Sequence, residues 1–269
     1  MKCRGVILAA GLLGLVSCRS IPPPLTAESP SVRFLITFDD GPSTRTDYNP
    51  TLAIIGQLAT NDVQSGIKAI FFVQTENKKG GGTPEGREII RYTHEQGHII
   101  GIHSTSPRGH IAHTTLPTEV LIRELEQAKA LIQRLTGAAP QFLRPPYGAS
   151  DLRTRTLYDD RDLSVLMADI RARDGLIYGY KASLSRRLHI YNSLKALRRT
   201  AAPEAVTTVI MNFHDVNPYT ARHMTDYLHI MVEEARLAGF SVPAKPFYDN
   251  IDEITRIATL RRMPPPAAR

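Results

Sequence analysis

Short runs of β-branched and aromatic residues recur along this 269-residue chain, separated by longer stretches whose apolar residues return every three or four positions. Val32–Phe38, Ala69–Val73, Ile99–Ile102, Leu163–Met167 and Thr207–Phe213 read as strands. The clearest helix is predicted from Pro117 to Thr136, where Leu121, Leu125, Ala128, Ile132 and Leu135 share one face and Gly137 stands at the C-terminal stop. A second is predicted from Ala221 to Ala238, carrying Met224, Tyr227, Leu228, Met231 and Leu237 before Gly239. Strands alternating with amphipathic helices predict an α/β fold, a parallel sheet with helices outside. In an α/β barrel the chemistry sits in the loops after the strands, so those loops are where functional residues are sought.

The N-terminus breaks this pattern. Lys2 and Arg4 precede an uncharged apolar run, Val6 to Val16, too short to cross a hydrocarbon layer of roughly 30 Å and arranged like a secretion signal. It ends in Leu15-Val16-Ser17-Cys18, which resembles the lipobox of bacterial lipoproteins; an ordinary cleavage region is the plainer alternative. Residues 1–17 are expected to be removed and Cys18 to carry lipid, followed by a proline-rich tether through residue 30 that includes Ile21-Pro22-Pro23-Pro24. One folded domain is expected over 31–260, and 261–269 as a flexible tail.

Composition adds little, since 42% hydrophobic and 22% charged residues exclude disorder and are ordinary for a globular domain. Cysteine usage says more. With Cys3 in the signal and Cys18 modified, the domain has no thiol, so a metal would have to be held by His and carboxylate. The formal charge of +7 falls to +5 once Lys2 and Arg4 are gone, because residues 1–17 contain no acid. That excess suits an acidic polymer, a membrane surface or simple solubility, and without a concentrated basic run nucleic acid is not expected.

Strand 34–38 runs straight into Asp39-Asp40-Gly41-Pro42, two adjacent carboxylates where the sheet stops. Adjacent acids repel, and a cation that engages one while the other serves as a base would relieve the conflict. Ile99-Ile100-Gly101-Ile102 delivers His103-Ser104, with His110 and His113 following. Two imidazoles and one carboxylate can bind a divalent cation and leave positions open. Phe142-Leu143 leads into Arg144-Pro145-Pro146-Tyr147-Gly148, and the strand ending at Phe213 delivers His214-Asp215.

In this order the segments resemble the polysaccharide deacetylase family, the NodB-homology domain of carbohydrate esterase family four. Thr37-Phe38-Asp39-Asp40-Gly41-Pro42 resembles its first motif, Gly97 to Ser104 the approach to its second, and Arg144 to Gly148 its third. The resemblance implies a distorted (β/α) barrel and a metal-dependent hydrolase that removes N-acetyl groups from an envelope or extracellular polysaccharide, such as peptidoglycan or a poly-N-acetylglucosamine-type polymer. Implied roles are Asp39 as base, Asp40 and His103 as metal ligands, Arg144 orienting Asp39, the Tyr147 backbone amide at the oxyanion, His214 as acid and Asp174 holding His214. The metal would be Zn²⁺, with Co²⁺, Ni²⁺ or Mn²⁺ as alternatives.

Three departures stand out. The family spaces its two histidine ligands four apart, but position 107 is Pro107, so the third ligand is His110 or His113 or is missing. His110 is favoured because the shorter loop costs less closure entropy. Gly175 stands where the family often has tryptophan, and Asn212 replaces an aliphatic residue; both are expected at the apolar pocket for the acetyl methyl. A catalytically altered sugar-binding lipoprotein is therefore the alternative to the enzyme.

Overall fold

A computed structural model describes residues 29–174, 181–203 and 205–264. The expected signal, Cys18, most of the tether, Gly175 and residues 265–269 lie outside them. Among the described residues no helix is long and apolar enough to cross a membrane.

Seven parallel strands form one sheet: β1 (Ser31–Asp39), β2 (Ala69–Gln74), β3 (Ile99–Ser104), β4 (Phe142–Leu143), β5 (Ser164–Val165), β6 (Ile170–Arg171) and β7 (Val206–His214). Their spatial order is β5-β4-β3-β2-β1-β7-β6, so β5 and β6, neighbours in sequence, are the two edges. Residues 166–169 cross between those edges. Leu166 N–H donates to Leu143 and Asp169 N–H to Ile210, which closes the curl without a continuous ladder. The result is the expected distorted (β/α) barrel, with the predicted strand Leu163–Met167 shortened to a two-residue β5 because the chain must leave the sheet to make this crossing.

Period-two alternation along the strands sorts residues between two cores. Val32, Phe34, Ile36 and Phe38 of β1 pack outward beneath the helices, as do Phe71 of β2 and Val209, Met211 and Phe213 of β7. Leu35, Ile70, Phe72, Phe142 and Ile210 belong to a second, inner cluster. Helix α8 (Ile251–Leu260) adds Ile254, Ile257 and Ala258 to that cluster and plugs the barrel where the strands begin. Because the inner positions continue two residues at a time, the same face becomes Thr37 and Asp39, Gln74, His103, Arg144, and Asn212 and His214 where the strands end. Gly101 fits this packing: a Cβ there would come 2.7 Å from the Phe72 ring.

The outer helices are α1 (Pro50–Ala59), α2 (Pro84–Glu95), α3 (Thr118–Thr136), α4 (Leu152–Asp159), α5 (Lys181–Arg198), α6 (Pro218–Arg222) and α7 (Met224–Leu237). Helix α3 matches the prediction, starting after Pro117 and ending at Gly137 with φ of 79°. The helix predicted over Ala221–Ala238 is two elements, α6 and α7, broken at His223 (φ −120°, ψ 19°). Asn217 caps α6 through Tyr219 N–H and also donates to Asp174 O, so α6 is set by the residues behind His214 rather than by the periodicity of α7. The first residues of the expected tail are docked: Met263 N–H donates to Val165 and Arg261 pairs with Asp169.

Candidate active site

Parallel register carries the C-terminal ends of the strands to one rim. Asp39 is opposite His214, and Thr37 opposite Asn212. Beside them a cavity of about 770 Å³ is lined by, among others, Asp39, Asp40, His103, His110, Arg144 and His214, within the size range of ligand sites.

Asp39, 5% exposed, is held through both oxygens. Arg144 Nη1 donates to Oδ1 at 2.9 Å and Asn212 Nδ2 to Oδ2 at 3.0 Å, while the same Arg144 nitrogen donates to Thr37 Oγ1 and Asn212 Oδ1. Arg144 is anchored by Nε to Leu166 O and lies over the Phe72 ring. Asn212 therefore does not form an apolar wall. Its amide bridges the base and the arginine, which is why a polar side chain is accommodated at a buried inner position.

Asp40 leaves the strand with φ of 75°. Its Oδ1 lies 3.4 Å from His103 Nε2 and 3.8 Å from His110 Nε2, and these two nitrogens are 3.0 Å apart. His103 Nδ1 contacts Arg144 O at 2.7 Å. A carbonyl only accepts, so Nδ1 carries the proton and Nε2 turns a lone pair toward the other two groups. With His110 Nε2 also unprotonated, three lone-pair donors converge, an arrangement that suits a cation between them. A tetrahedral ion with bonds of about 2.0–2.1 Å would separate its ligands by about 3.3 Å, which the three distances bracket. Without a cation, burial alone would raise the Asp40 carboxyl, but a protonated His103 hydrogen-bonded to it and the charges of His103, His110 and His214 outweigh that and hold it well below the usual range; a cation would take the place of those protons.

The irregular histidine spacing is absorbed by a turn. Gly109 N–H donates to Ser106 O at 2.9 Å, Pro107 occupies the second position and Gly109 has φ of 88°. Ser104 Oγ donates to Gly109 O, and the Tyr147 hydroxyl donates to His110 O while its ring packs 4.2 Å from the imidazole. The turn thus delivers His110 beside His103. His113 is elsewhere: fully buried, with Nδ1 2.8 Å from the Tyr158 hydroxyl and its pKa pushed down to about 3 by burial.

His214 completes the rim, its Nε2 4.0 Å from Asp40 Oδ2. Its Nδ1 lies 2.7 Å from Asp174 Oδ1, and Asp174 Oδ2 accepts from His214 N–H and Thr220 Oγ1. Burial opposes the charged imidazole, but the Asp174 hydrogen bond and the charges of Asp174, Asp40 and Asp39 prevail and raise its pKa to about 9. Tyr147, 63% exposed, overhangs the cavity on a turn where its own φ is 61°.

Sequence reading missed the supports. Gln74 Nε2 donates to Asp40 Oδ1 at 2.7 Å, and Asn77 Nδ2 donates to Gln74 Oε1. Gln74 was detectable as a polar residue at an inward position two after Phe72; Asn77, in a loop, carried no such signal. Asp215, 1% exposed, is structural: it accepts from Thr51 Oγ1 at 2.7 Å and packs on Gly41, and burial raises its pKa to about 7.

A family model described as polysaccharide deacetylase matches residues 27–166. The chain belongs to the polysaccharide deacetylase family. The matched segment carries Asp39, Asp40, His103, His110, Arg144 and Tyr147, and ends before Asp174 and His214. A peptidoglycan-N-acetylglucosamine deacetylase of Bacillus cereus is 32% identical over 113 residues, 42% of this chain and 35% of its own length. A chitin deacetylase of Colletotrichum lindemuthianum is 25% identical over 193 residues, 72% of this chain and 71% of its own. The chain spans less than half the length of the first curated relatives it matches, at 35%, 22% and 43%. Among solved structures, the chitin deacetylase from Colletotrichum lindemuthianum aligns with a TM-score of 0.61 at 20% identity, over 86% of this chain and 93% of that one. A family 4 carbohydrate esterase from Streptomyces lividans gives 0.57 at 19%, over 76% and 89%. These likenesses establish the shared fold.

Proposed function

We propose that this chain is a metal-dependent hydrolase that removes acetyl groups from an N-acetylated polysaccharide. The observation that carries the reading is the convergence of three lone-pair donors, Asp40, His103 and His110, between a carboxylate held through both oxygens, Asp39, and a protonated imidazole, His214. A divalent cation there, Zn²⁺ by the donor set, would polarise the amide carbonyl and lower the cost of ionising a nearby water. Asp39 accepts the proton from the water, and its fixed geometry keeps one orientation for that transfer. The Tyr147 turn faces the same cavity, where a backbone N–H can stabilise negative charge on the acyl oxygen. His214, kept charged by Asp174, gives its proton to the departing amine.

The irregular histidine spacing that motivated a binding-only module is taken up by the Ser106–Gly109 turn, which removes the reason to prefer it. Export, with lipid attached at Cys18, belongs to the proposal on sequence grounds; a Cys18→Ser protein that fractionates with membranes as wild type does would refute it. The enzymatic reading is tested by stripping the protein of metal, restoring Zn²⁺, Co²⁺, Ni²⁺ or Mn²⁺ in turn, and measuring acetate released from an N-acetylglucosamine oligosaccharide and from peptidoglycan. Release that depends on metal is expected. Stoichiometric metal with no acetate from either polymer would leave the chain a sugar-binding protein.

A further inference from the structure

The cavity holds more positive charge than the chemistry uses. Its lining includes two carboxylates, Asp39 and Asp40, against Arg144, Arg171, Arg173 and His214. Asp39 is matched by Arg144, and Asp40 stands among the histidines. Arg171, on the edge strand β6, and Arg173 are exposed, and neither has a carboxylate partner among the described residues. The nearest acids in sequence are engaged elsewhere, Asp169 with Arg261 and Asp174 with His214.

The fold places the Arg171 guanidinium and the Arg173 backbone. Arg171 lies against the turn that carries Tyr147: a Cβ on Gly148 would come 2.7 Å from its Nη2. It is near enough to Arg144 for the two like charges to oppose each other, alongside the larger effect of burial on Arg144. Arg173 takes φ of 55°, as Asp40 and Tyr147 also take positive values, so among the described residues three of the four non-glycine residues in the left-handed region line this cavity. Such conformations persist where surrounding structure imposes them. At Arg173 the turn sends Asp174 inward to His214 and leaves the arginine at the mouth.

We propose that Arg171 and Arg173 form a subsite for an anionic substituent, a carboxylate or a phosphate, on the glycan beside the N-acetyl group that is removed. This rests on the deacetylase reading and names its substrate class as an acidic rather than a neutral glycan. Guanidinium groups suit it, since their planar forks pair with either oxyanion through two parallel hydrogen bonds. Unpaired cations beside a reaction centre also raise the local concentration of an anionic chain.

The test compares four probes on the full chain by titration calorimetry: a neutral N-acetylglucosamine oligomer, an oligomer of equal length with carboxylates on alternate sugars, the same oligomer with its carboxylates reduced to alcohols, and a phosphorylated one. Acetate release is measured on each in parallel. An exposed ion pair gives up to about fivefold, so two arginines should favour the carboxylated oligomer over its reduced form by about tenfold. That ratio should shrink as salt is raised, because exposed charges are screened beyond roughly 10 Å at 0.1 M. Arg171→Ala and Arg173→Ala should each reduce the ratio several-fold, and the double variant should bring it near one; the Lys variants should keep part of it. If carboxylated and phosphorylated probes are preferred alike, the subsite reads charge; if only one is preferred, that anion is the substituent. An affinity ratio near one for both anions, or one unmoved by the double variant, overturns the subsite even if acetate is released. An intact ratio with no acetate from any probe leaves the subsite standing and removes the deacetylase reading.

Discussion

Asp174→Asn offers the sharpest view of how the fold sets up the departing amine. Asp174 is fully buried, and its two oxygens take His214 Nδ1–H, His214 N–H and Thr220 Oγ1. An amide in its place keeps the volume and one acceptor but removes the charge. Burial then acts on His214 with less opposition, and its pKa should fall from about 9 toward the ordinary 6.5. A cation on Asp40 would cancel that carboxylate's share, so the wild-type alkaline limb is expected at or somewhat below pH 9. If His214 must be protonated to act, about nine-tenths of the wild type is competent at pH 8 against about one-thirtieth of the variant, a loss of up to about thirtyfold in kcat/KM, while at pH 6 the loss is under about twofold. Stability should follow the same group. A histidine raised in the folded state stabilises fully below pH 6.5 and loses that contribution as pH rises through about 9, so the variant's melting temperature should fall most near pH 6, by the equivalent of at most roughly 3 kcal/mol. The assay is the pH profile of kcat/KM on an acetylated oligosaccharide, with thermal melts at each pH. A loss of equal size at every pH, or an alkaline limb that does not move, would show that His214 is not the acid.

Asp39→Asn should retain metal and fold while turnover falls by about 10²–10⁴, as expected for loss of a general base; loss of metal instead would exchange the roles of Asp39 and Asp40. His110→Ala should lose metal on dialysis, as should His103→Ala and Asp40→Ala. His113→Ala should keep metal content and lower the melting temperature, because it opens a buried space beside Tyr158; the reverse pattern would reassign the third ligand. Gly41→Ala should destabilise by about 1–3 kcal/mol in denaturant unfolding, since its Cβ would lie 2.1 Å from Asp215 Oδ2 in a buried site; an unchanged midpoint would mean that the Asp215 side chain relocates freely. Asn212→Leu should keep metal and lower kcat more than it changes KM, because one oxygen of Asp39 loses its donor.

The local pattern was enough to locate three of the strands that carry chemistry. Apolar runs ending abruptly in Asp39-Asp40, His103 and His214 mark strand ends, and in a parallel sheet such ends share one rim; β4 before Arg144 and β6 at Arg171, two residues each, are too short for any period to show. Helix α3 was equally legible, with an apolar stripe along its nineteen residues and a glycine stop directly after them. Both are signals of short range, written in period two or period 3.6.

Tertiary structure decided what depends on contacts distant in sequence. Periodicity could not shorten the strand at Leu163–Met167 or split the helix at His223, because one is imposed by closing the barrel across its edge strands and the other by contacts behind Asp174. Between His110 and His113 the sequence offered only loop length. The structure separates them by their surroundings, a turn that returns His110 to His103 and a buried Tyr158 that holds His113. Asn212 is the plainest case. From sequence it was a polar intrusion into an apolar wall, because its partner Asp39 is 173 residues away, and only the register of β7 on β1 brings an amide to that carboxylate.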